Sequence, residues 1–183
     1  MNIPNALTVF RIILIPIFVL TFYLPYNWSY FACAFIFWLA AFTDLLDGYL
    51  ARKLDQSTPF GAFLDPVADK LMVVISLGLL IERLDAWYFT LPALVIIGRE
   101  ILISALREWM AELGERHSVA VSMVGKAKTM LQMGAIFLFL FVQEPQGFVY
   151  YFAFATFYIS VLLTLWSMFV YLKAAAPSLL SKP

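Results

Sequence analysis

The chain has 183 residues, of which 63% are hydrophobic, 17% are aromatic and only 13% are charged. Soluble globular domains average about 45–50% apolar and about 25% charged residues, so this composition excludes an ordinary soluble protein and a disordered chain. The 12 basic and 12 acidic residues cancel, which leaves no net positive field to attract a nucleic acid. The composition therefore predicts a membrane protein with no nucleic-acid partner.

Six stretches are long and apolar enough to form membrane-spanning helices, because a helix needs about 20 residues to cross roughly 30 Å of hydrocarbon. In chain order they are 6–25, 29–50, 62–82, 87–107, 122–142 and 148–172. Turn residues connect them, and a longer polar stretch, 108–120, predicts a helical hairpin outside the membrane. We therefore expect an all-α fold with one domain over residues 1–183, an integral membrane bundle of six transmembrane helices.

The basic residues are distributed unevenly along this arrangement. Six spans place both termini on one side, and every Lys and Arg except Arg83 falls on that side. Loops on the cytoplasmic side of a membrane carry an excess of Lys and Arg, whereas Trp and Tyr concentrate at the interfaces. Trp28 and Trp87 lie at the ends of their spans that face away from these Lys and Arg residues. Both signals predict cytoplasmic termini.

Five of the six aspartates lie between positions 44 and 69. Asp44 and Asp47 end the second span, and Asp65 and Asp69 begin the third, so each pair lies on one face of its own helix. Neighbouring antiparallel helices would bring the two faces together, where ionised carboxylates repel one another. Either shared protons or divalent cations such as Mg²⁺ or Mn²⁺ could relieve this repulsion. The presence of four acids favours divalent cations over shared protons as the explanation.

Small residues and one arginine separate the two acid pairs. They are Gly48, Ala51, Arg52 and Gly61. Glycine and alanine leave room for a ligand to approach the backbone, and a guanidinium suits phosphate oxygens. Close helix packing is the alternative explanation for the small residues.

Acids and small residues together form the pattern DxxDGxxARx8GxxxDxxxD, without any departure, from Asp44 to Asp69. This pattern resembles the signature of the CDP-alcohol phosphotransferase family. Further segments are similar to bacterial members that use sn-glycerol 3-phosphate: residues 2–11, 98–101, 105–107 and 124–129. The resemblance implies a homodimeric enzyme of the bacterial inner (cytoplasmic) membrane whose active site faces the cytoplasm. It would transfer the phosphatidyl group of CDP-diacylglycerol to sn-glycerol 3-phosphate and release CMP.

The resemblance also implies roles for the signature residues. The acids would bind two divalent ions, Mg²⁺ or Mn²⁺: Asp44, Asp47, Asp65 and Asp69. The last of these, Asp69, would also be the general base. The residues between the acid pairs would bind CDP-diacylglycerol: Gly48, Ala51, Arg52 and Gly61.

A dianionic acceptor needs further fixed cations in a partly apolar cavity. We expect basic residues at the cytoplasmic ends of the spans to bind its phosphate: Arg107, Lys126 and Lys128, with Arg11 and Arg99 as additional candidates. Two alternatives stay open. The lysines could anchor the protein at lipid headgroups, and Arg99 could pair with Glu100 in a buried network that fixes helix packing.

The signature leaves the acceptor alcohol open, since inositol phosphate, serine or phosphatidylglycerol would suit the same chemistry. A small cation or proton transporter also places paired acids within a membrane. That alternative does not require Arg52 and small residues at fixed distances from the acids, so the enzyme is the favoured hypothesis.

Overall fold

A computed structural model describes residues 3–54, 59–112 and 123–180, apart from the side chains of some residues near helix ends. The described residues form six helices and no strand: α1 (Ile3–Phe22), α2 (Ser29–Leu54), α3 (Pro59–Leu84), α4 (Trp87–Glu112), α5 (Met123–Phe141) and α6 (Phe148–Leu180). The all-α prediction is confirmed, and each predicted span corresponds to one helix.

Four helices in the described part of the chain are long and apolar enough to cross a membrane, namely α1, α2, α4 and α6. The apolar part of α5 is shorter, Ala127–Phe141, and α3 carries charged residues near both ends. The chain is therefore a membrane protein. The spans predicted in α3 and α5, and the cytoplasmic termini, stay predictions.

Several helices extend beyond the spans predicted from bilayer thickness. α2 continues to Leu54 and α6 to Leu180, whereas the predicted spans end at 50 and 172. α4 continues to Glu112, so residues 108–112 prolong that helix, and the remainder of the predicted hairpin, 113–120, lies outside the described residues. The extensions are rich in Ala, Leu, Lys and Glu, which favour helix in water as well as in lipid.

The chain divides into two compact units, residues 1–83 with 136–150 and residues 84–135 with 151–183. In the first unit α1 packs against α2, and the buried rings of Phe18 and Phe37 contribute to the core. Tyr23, just after α1, donates a hydrogen bond to Glu82 Oε2 at 2.6 Å. This hydrogen bond connects the end of α1 to the end of α3.

Arg83 caps the C-terminal end of α5 in the same unit. It is the basic residue that the sequence places on the non-cytoplasmic side. Its Nη2 donates hydrogen bonds to the main-chain oxygens of Phe139 and, at 3.0 Å, Val142. The last carbonyls of a helix have no partner within the helix, so the guanidinium satisfies them. It also lies 4.9 Å from the centre of the Tyr30 ring. Arg83 is thus a structural residue of the first unit.

In the second unit α4 contacts α6 along its length. The rings of Phe89 and Phe157 stack with their centres 4.7 Å apart. Further along the two helices lies a buried apolar cluster: Ile103, Leu106, Met110, Tyr171 and Ala175. This packing sets the rotation of α4 and determines which of its charged side chains meet α6.

Candidate functional site

Three aspartates from two helices converge on one arginine in the first unit. Arg11, on α1, donates from Nη1 to Asp44 Oδ1 at 2.7 Å and to Asp69 Oδ1, and from Nη2 to Asp47 Oδ2. We call these four residues the acid cluster. The structure therefore brings together three of the four acids that the sequence predicts to converge.

The acid cluster is buried on one side and open on the other. The Arg11 and Asp47 side chains expose only 4% and 5% of their surface, whereas Asp44 and Asp69 expose 40% and 45%. With all three carboxylates ionised, the cluster carries a formal charge of −2. Such an excess of like charge is unfavourable away from water, so the open side of the cluster suits a further cation.

The donors of the acid cluster fit Mg²⁺ or Mn²⁺, because these hard ions prefer carboxylate oxygens. Within the part of the chain that the structure describes, no three acidic, His or Cys side chains are already arranged as a metal site, and Arg11 lies between the acids. The fourth predicted ligand, Asp65, precedes Asp69 by one turn of α3 and has a side chain outside the described residues. Arg11 is thus the counter-ion of the acids in this structure.

The residues predicted to bind CDP-diacylglycerol are only partly described. Gly61 is buried in α3. Gly48, Ala51 and Arg52 lie in α2, and their side chains are outside the described residues. Their predicted contact with the nucleotide stays a prediction.

A second polar group lies in the other unit, where α4 carries two adjacent charges. Arg99 donates from Nη2 to Ser167 Oγ at 2.9 Å and from Nη1 to Glu100 Oε1 at 3.3 Å. Lys128, on α5, donates to the same Glu100 oxygen. The side chains of Arg99 and Lys128 expose only 6% and 2% of their surface. One carboxylate therefore serves two buried cations.

Arg107 joins this group two turns further along α4. Its Nη2 donates to the Tyr171 hydroxyl on α6 at 3.0 Å, and its guanidinium carbon lies 5.1 Å from the centre of that ring. The guanidinium carbon of Arg99 is 5.9 Å from the same centre. We call the whole group the cation cluster: Arg99, Glu100, Arg107, Lys128, Ser167 and Tyr171.

The cation cluster contains more positive than negative charges. Three cations and the Glu100 carboxylate give a formal charge of +2. Nε of Arg99 and Nε of Arg107 are buried and lack a hydrogen-bond partner among the described residues. Buried donors usually find an acceptor, and isolated buried cations are costly. The cluster is therefore electrostatically suited to a small dianion.

The structure groups three of the predicted acceptor-binding residues, Arg99, Arg107 and Lys128, in this cluster. Lys126 has a side chain outside the described residues, and Arg11 engages the acids in the other unit. The pairing of Arg99 with Glu100, the alternative weighed from the sequence, is present. It coexists with the excess positive charge, so it does not exclude anion binding.

Sequence reasoning missed three polar side chains that the structure places in the interior of the second unit. Ser167 and Tyr171 are partners of the arginines, and Gln132 is 2% exposed. Gln132 follows Lys128 by four residues in an otherwise apolar stretch, which puts both on one helix face. That spacing was the available signal.

Comparison with known proteins gives consistent matches. The model of the CDP-alcohol phosphatidyltransferase family matches residues 1–166. The CDP-diacylglycerol–glycerol-3-phosphate 3-phosphatidyltransferases of Shigella flexneri serotype 5b (strain 8401) and Escherichia coli (strain K12) are each 58% identical to this chain over 181 residues. Both alignments cover 99% of this chain and 98% of the relative.

Proposed function

Because this chain belongs to the CDP-alcohol phosphatidyltransferase family, we propose that it transfers the phosphatidyl group of CDP-diacylglycerol to sn-glycerol 3-phosphate. The products are phosphatidylglycerophosphate and CMP. The observation that carries this proposal is the 58% identity to glycerol-3-phosphate phosphatidyltransferases along nearly the full length of both chains. The two charged clusters supply what such a reaction requires, a site for a diphosphate and a site for a phosphate dianion.

In this proposal the acids would hold two divalent ions, Mg²⁺ or Mn²⁺, which would provide the binding site for the diphosphate of CDP-diacylglycerol. The ligands are Asp44, Asp47, Asp65 and Asp69. When bound, the ions neutralise the diphosphate and favour departure of CMP. Convergence of three of these carboxylates on one guanidinium supports this role, since it places oxygen donors of two helices within reach of a single cation.

Asp69 is the proposed general base. Its carboxylate is nearly half exposed, so an acceptor hydroxyl can reach it. The hydroxyl oxygen attacks the phosphatidyl phosphorus, the bond from that phosphorus to the CMP oxygen breaks, and Asp69 accepts the hydroxyl proton. Gly48, Ala51, Arg52 and Gly61 are proposed to contact the cytidine diphosphate.

The cation cluster is the proposed binding site for the phosphate of sn-glycerol 3-phosphate. Its formal charge of +2 balances the charge of a phosphate monoester dianion, and Nε of Arg99 and Nε of Arg107 are donors without a hydrogen-bond partner among the described residues. Hydrogen bonds from cations to phosphate are among the strong ones. Lys126 is proposed as a further contact. Arg11 is assigned instead to the acids, because its two terminal nitrogens bond them.

We also propose the membrane in which the protein lies, its orientation there and its oligomeric state. All Lys and Arg except Arg83 fall on one side of a six-span arrangement, which supports cytoplasmic termini and a cytoplasm-facing site. The relatives are bacterial, which supports the inner (cytoplasmic) membrane. A homodimer is proposed by resemblance to the family.

An acceptor panel tests the proposed function. Purified protein in lipid nanodiscs receives CDP-diacylglycerol, Mg²⁺ and one acceptor: sn-glycerol 3-phosphate, inositol phosphate, serine or phosphatidylglycerol. Release of CMP and the lipid product are measured, with Asp69→Asn as the inactive control. The proposal expects phosphatidylglycerophosphate from sn-glycerol 3-phosphate and background rates with the others. A faster reaction with another acceptor would overturn the assignment.

A further inference from the structure

Gln132 presents a buried amide in the second unit. The residue lies on α5 with 2% of its surface exposed. Its Oε1 is buried and has no hydrogen-bond partner within the described ranges. Native structures rarely leave a buried amide oxygen unpaired, because the lost hydration is not repaid. The amide oxygen is therefore able to accept a hydrogen bond from a ligand.

The position of Gln132 relates it to the cation cluster. It follows Lys128 by one helical turn, and residues four apart have Cβ atoms about 5–6 Å from each other on one face of a helix. Lys128 is also 2% exposed, so both residues are buried on the same face of α5. The face thus offers a cation for a phosphate and, one turn away, an amide for a neutral polar group.

The acceptor molecule has a group of this kind. In sn-glycerol 3-phosphate the C2 hydroxyl is attached to the carbon next to the one that bears the phosphate ester, and the C1 hydroxyl is the one that reacts. A hydroxyl donates to an amide oxygen and accepts from an amide nitrogen. Either orientation of the Gln132 amide therefore suits the same ligand.

We propose that Gln132 binds the unreacting C2 hydroxyl of the acceptor while the cation cluster binds its phosphate. Gln132 is then a specificity-determining residue that selects a polyol phosphate over a simple alkanol phosphate. This inference rests on the proposed function. It adds a residue whose role is separate from that of the charged groups, because a neutral amide contributes little to holding a dianion.

Two acceptors and three variants test the inference. The acceptors are sn-glycerol 3-phosphate and 1,3-propanediol monophosphate, which lacks only the C2 hydroxyl. Gln132→Met keeps the length of the side chain without the amide, and Gln132→Glu keeps an acceptor oxygen. Thr164→Val is the matched control, since Thr164 is a fully buried polar residue of the same unit whose hydroxyl bonds the Ser160 carbonyl of its own helix.

The ratio of kcat/KM between the two acceptors is the readout. The wild-type protein should prefer sn-glycerol 3-phosphate by about 10–100-fold, the value of one buried hydrogen bond whose loss leaves a partner unpaired. In Gln132→Met the rate with sn-glycerol 3-phosphate should fall by that factor, whereas the rate with the deoxy acceptor should not change. Gln132→Glu and Thr164→Val should retain the preference.

An equal fall for both acceptors in Gln132→Met would assign a structural role to Gln132 and overturn the inference. Equal rates of the wild-type protein with both acceptors would overturn it without any variant, while leaving the proposed function intact. A wild-type protein that does not use sn-glycerol 3-phosphate at all would overturn the proposed function itself.

Discussion

Replacing Arg11 with methionine should destabilise the protein strongly when no divalent ion is present. The substitution keeps a long side chain but removes the guanidinium that bonds three carboxylates. The acids would then face one another without their common counter-ion. Repulsion among them and the burial of Asp47, whose side chain is 5% exposed, both oppose folding.

The magnitude follows from the exposure of each ion pair. Removing one partner of a buried pair costs about 3–5 kcal/mol, and the pair of Arg11 with Asp47 is of this kind. The pairs with Asp44 and Asp69 are partly exposed, so each contributes only about 0–1 kcal/mol. A total of about 3–7 kcal/mol corresponds to a fall in the melting temperature on the order of 10 °C.

The assay is thermal unfolding of the purified protein in detergent, with EDTA and with Mn²⁺. Arg11→Met should lose most of its stability in EDTA, and Mn²⁺ should restore it more than it stabilises the wild-type protein. Arg83→Met is the matched control, because Arg83 is an arginine of the same unit that bonds main-chain oxygens. It should lose stability equally in both solutions. An Arg11 variant that is as stable as wild type in EDTA, or that Mn²⁺ does not rescue, would refute this reasoning.

Three further predictions concern activity. Asp69→Asn should lower kcat by at least about 10²-fold, the usual contribution of a general base; a smaller effect on CMP release would remove Asp69 from proton transfer. Lys128→Met should raise the KM for sn-glycerol 3-phosphate about 10–100-fold, because a charge-assisted hydrogen bond is lost, and an equal rise for CDP-diacylglycerol would contradict the assignment. Removal of divalent ions with EDTA should abolish CMP release and excess Mg²⁺ or Mn²⁺ should restore it, whereas persistent turnover would exclude the proposed ions.

The sequence predicts the helices and the convergence of the acids because both depend on local spacing. Apolar stretches of the right length predict helices, and aspartates three or four residues apart share a helix face. A short connection between α2 and α3 then brings two faces together. Every step uses neighbours in the chain, which explains why the convergence of Asp44, Asp47 and Asp69 was predictable.

The position of Arg11 could not be predicted in the same way. It is 33 residues from Asp44 and 58 from Asp69, and no local pattern specifies how α1 is rotated against α2 and α3. A positively charged residue near the end of a span is typical of cytoplasmic anchoring. Only the packing of three helices shows that this arginine belongs to the acids.

The partners within the cation cluster could not be predicted from the sequence for the same reason. The charges of Arg99 and Glu100 within an apolar helix predict a polar function for them. Their partners lie on α6, with Ser167 68 residues from Arg99 and Tyr171 64 residues from Arg107. Serine and tyrosine are ordinary residues of membrane helices, so nothing in the composition of α6 distinguishes these two from the rest.

Binding of each substrate to two variants tests the central claim most directly, namely that acids bind the liponucleotide and the cation cluster binds the acceptor. Dissociation constants for CDP-diacylglycerol with Mg²⁺ and for sn-glycerol 3-phosphate are measured separately by calorimetry in nanodiscs. Asp47→Asn should weaken binding of CDP-diacylglycerol at least about tenfold and leave the acceptor unchanged, and Lys128→Met should do the reverse. If either variant weakened the binding of both substrates to a similar extent, the assignment of one substrate to each cluster would be contradicted.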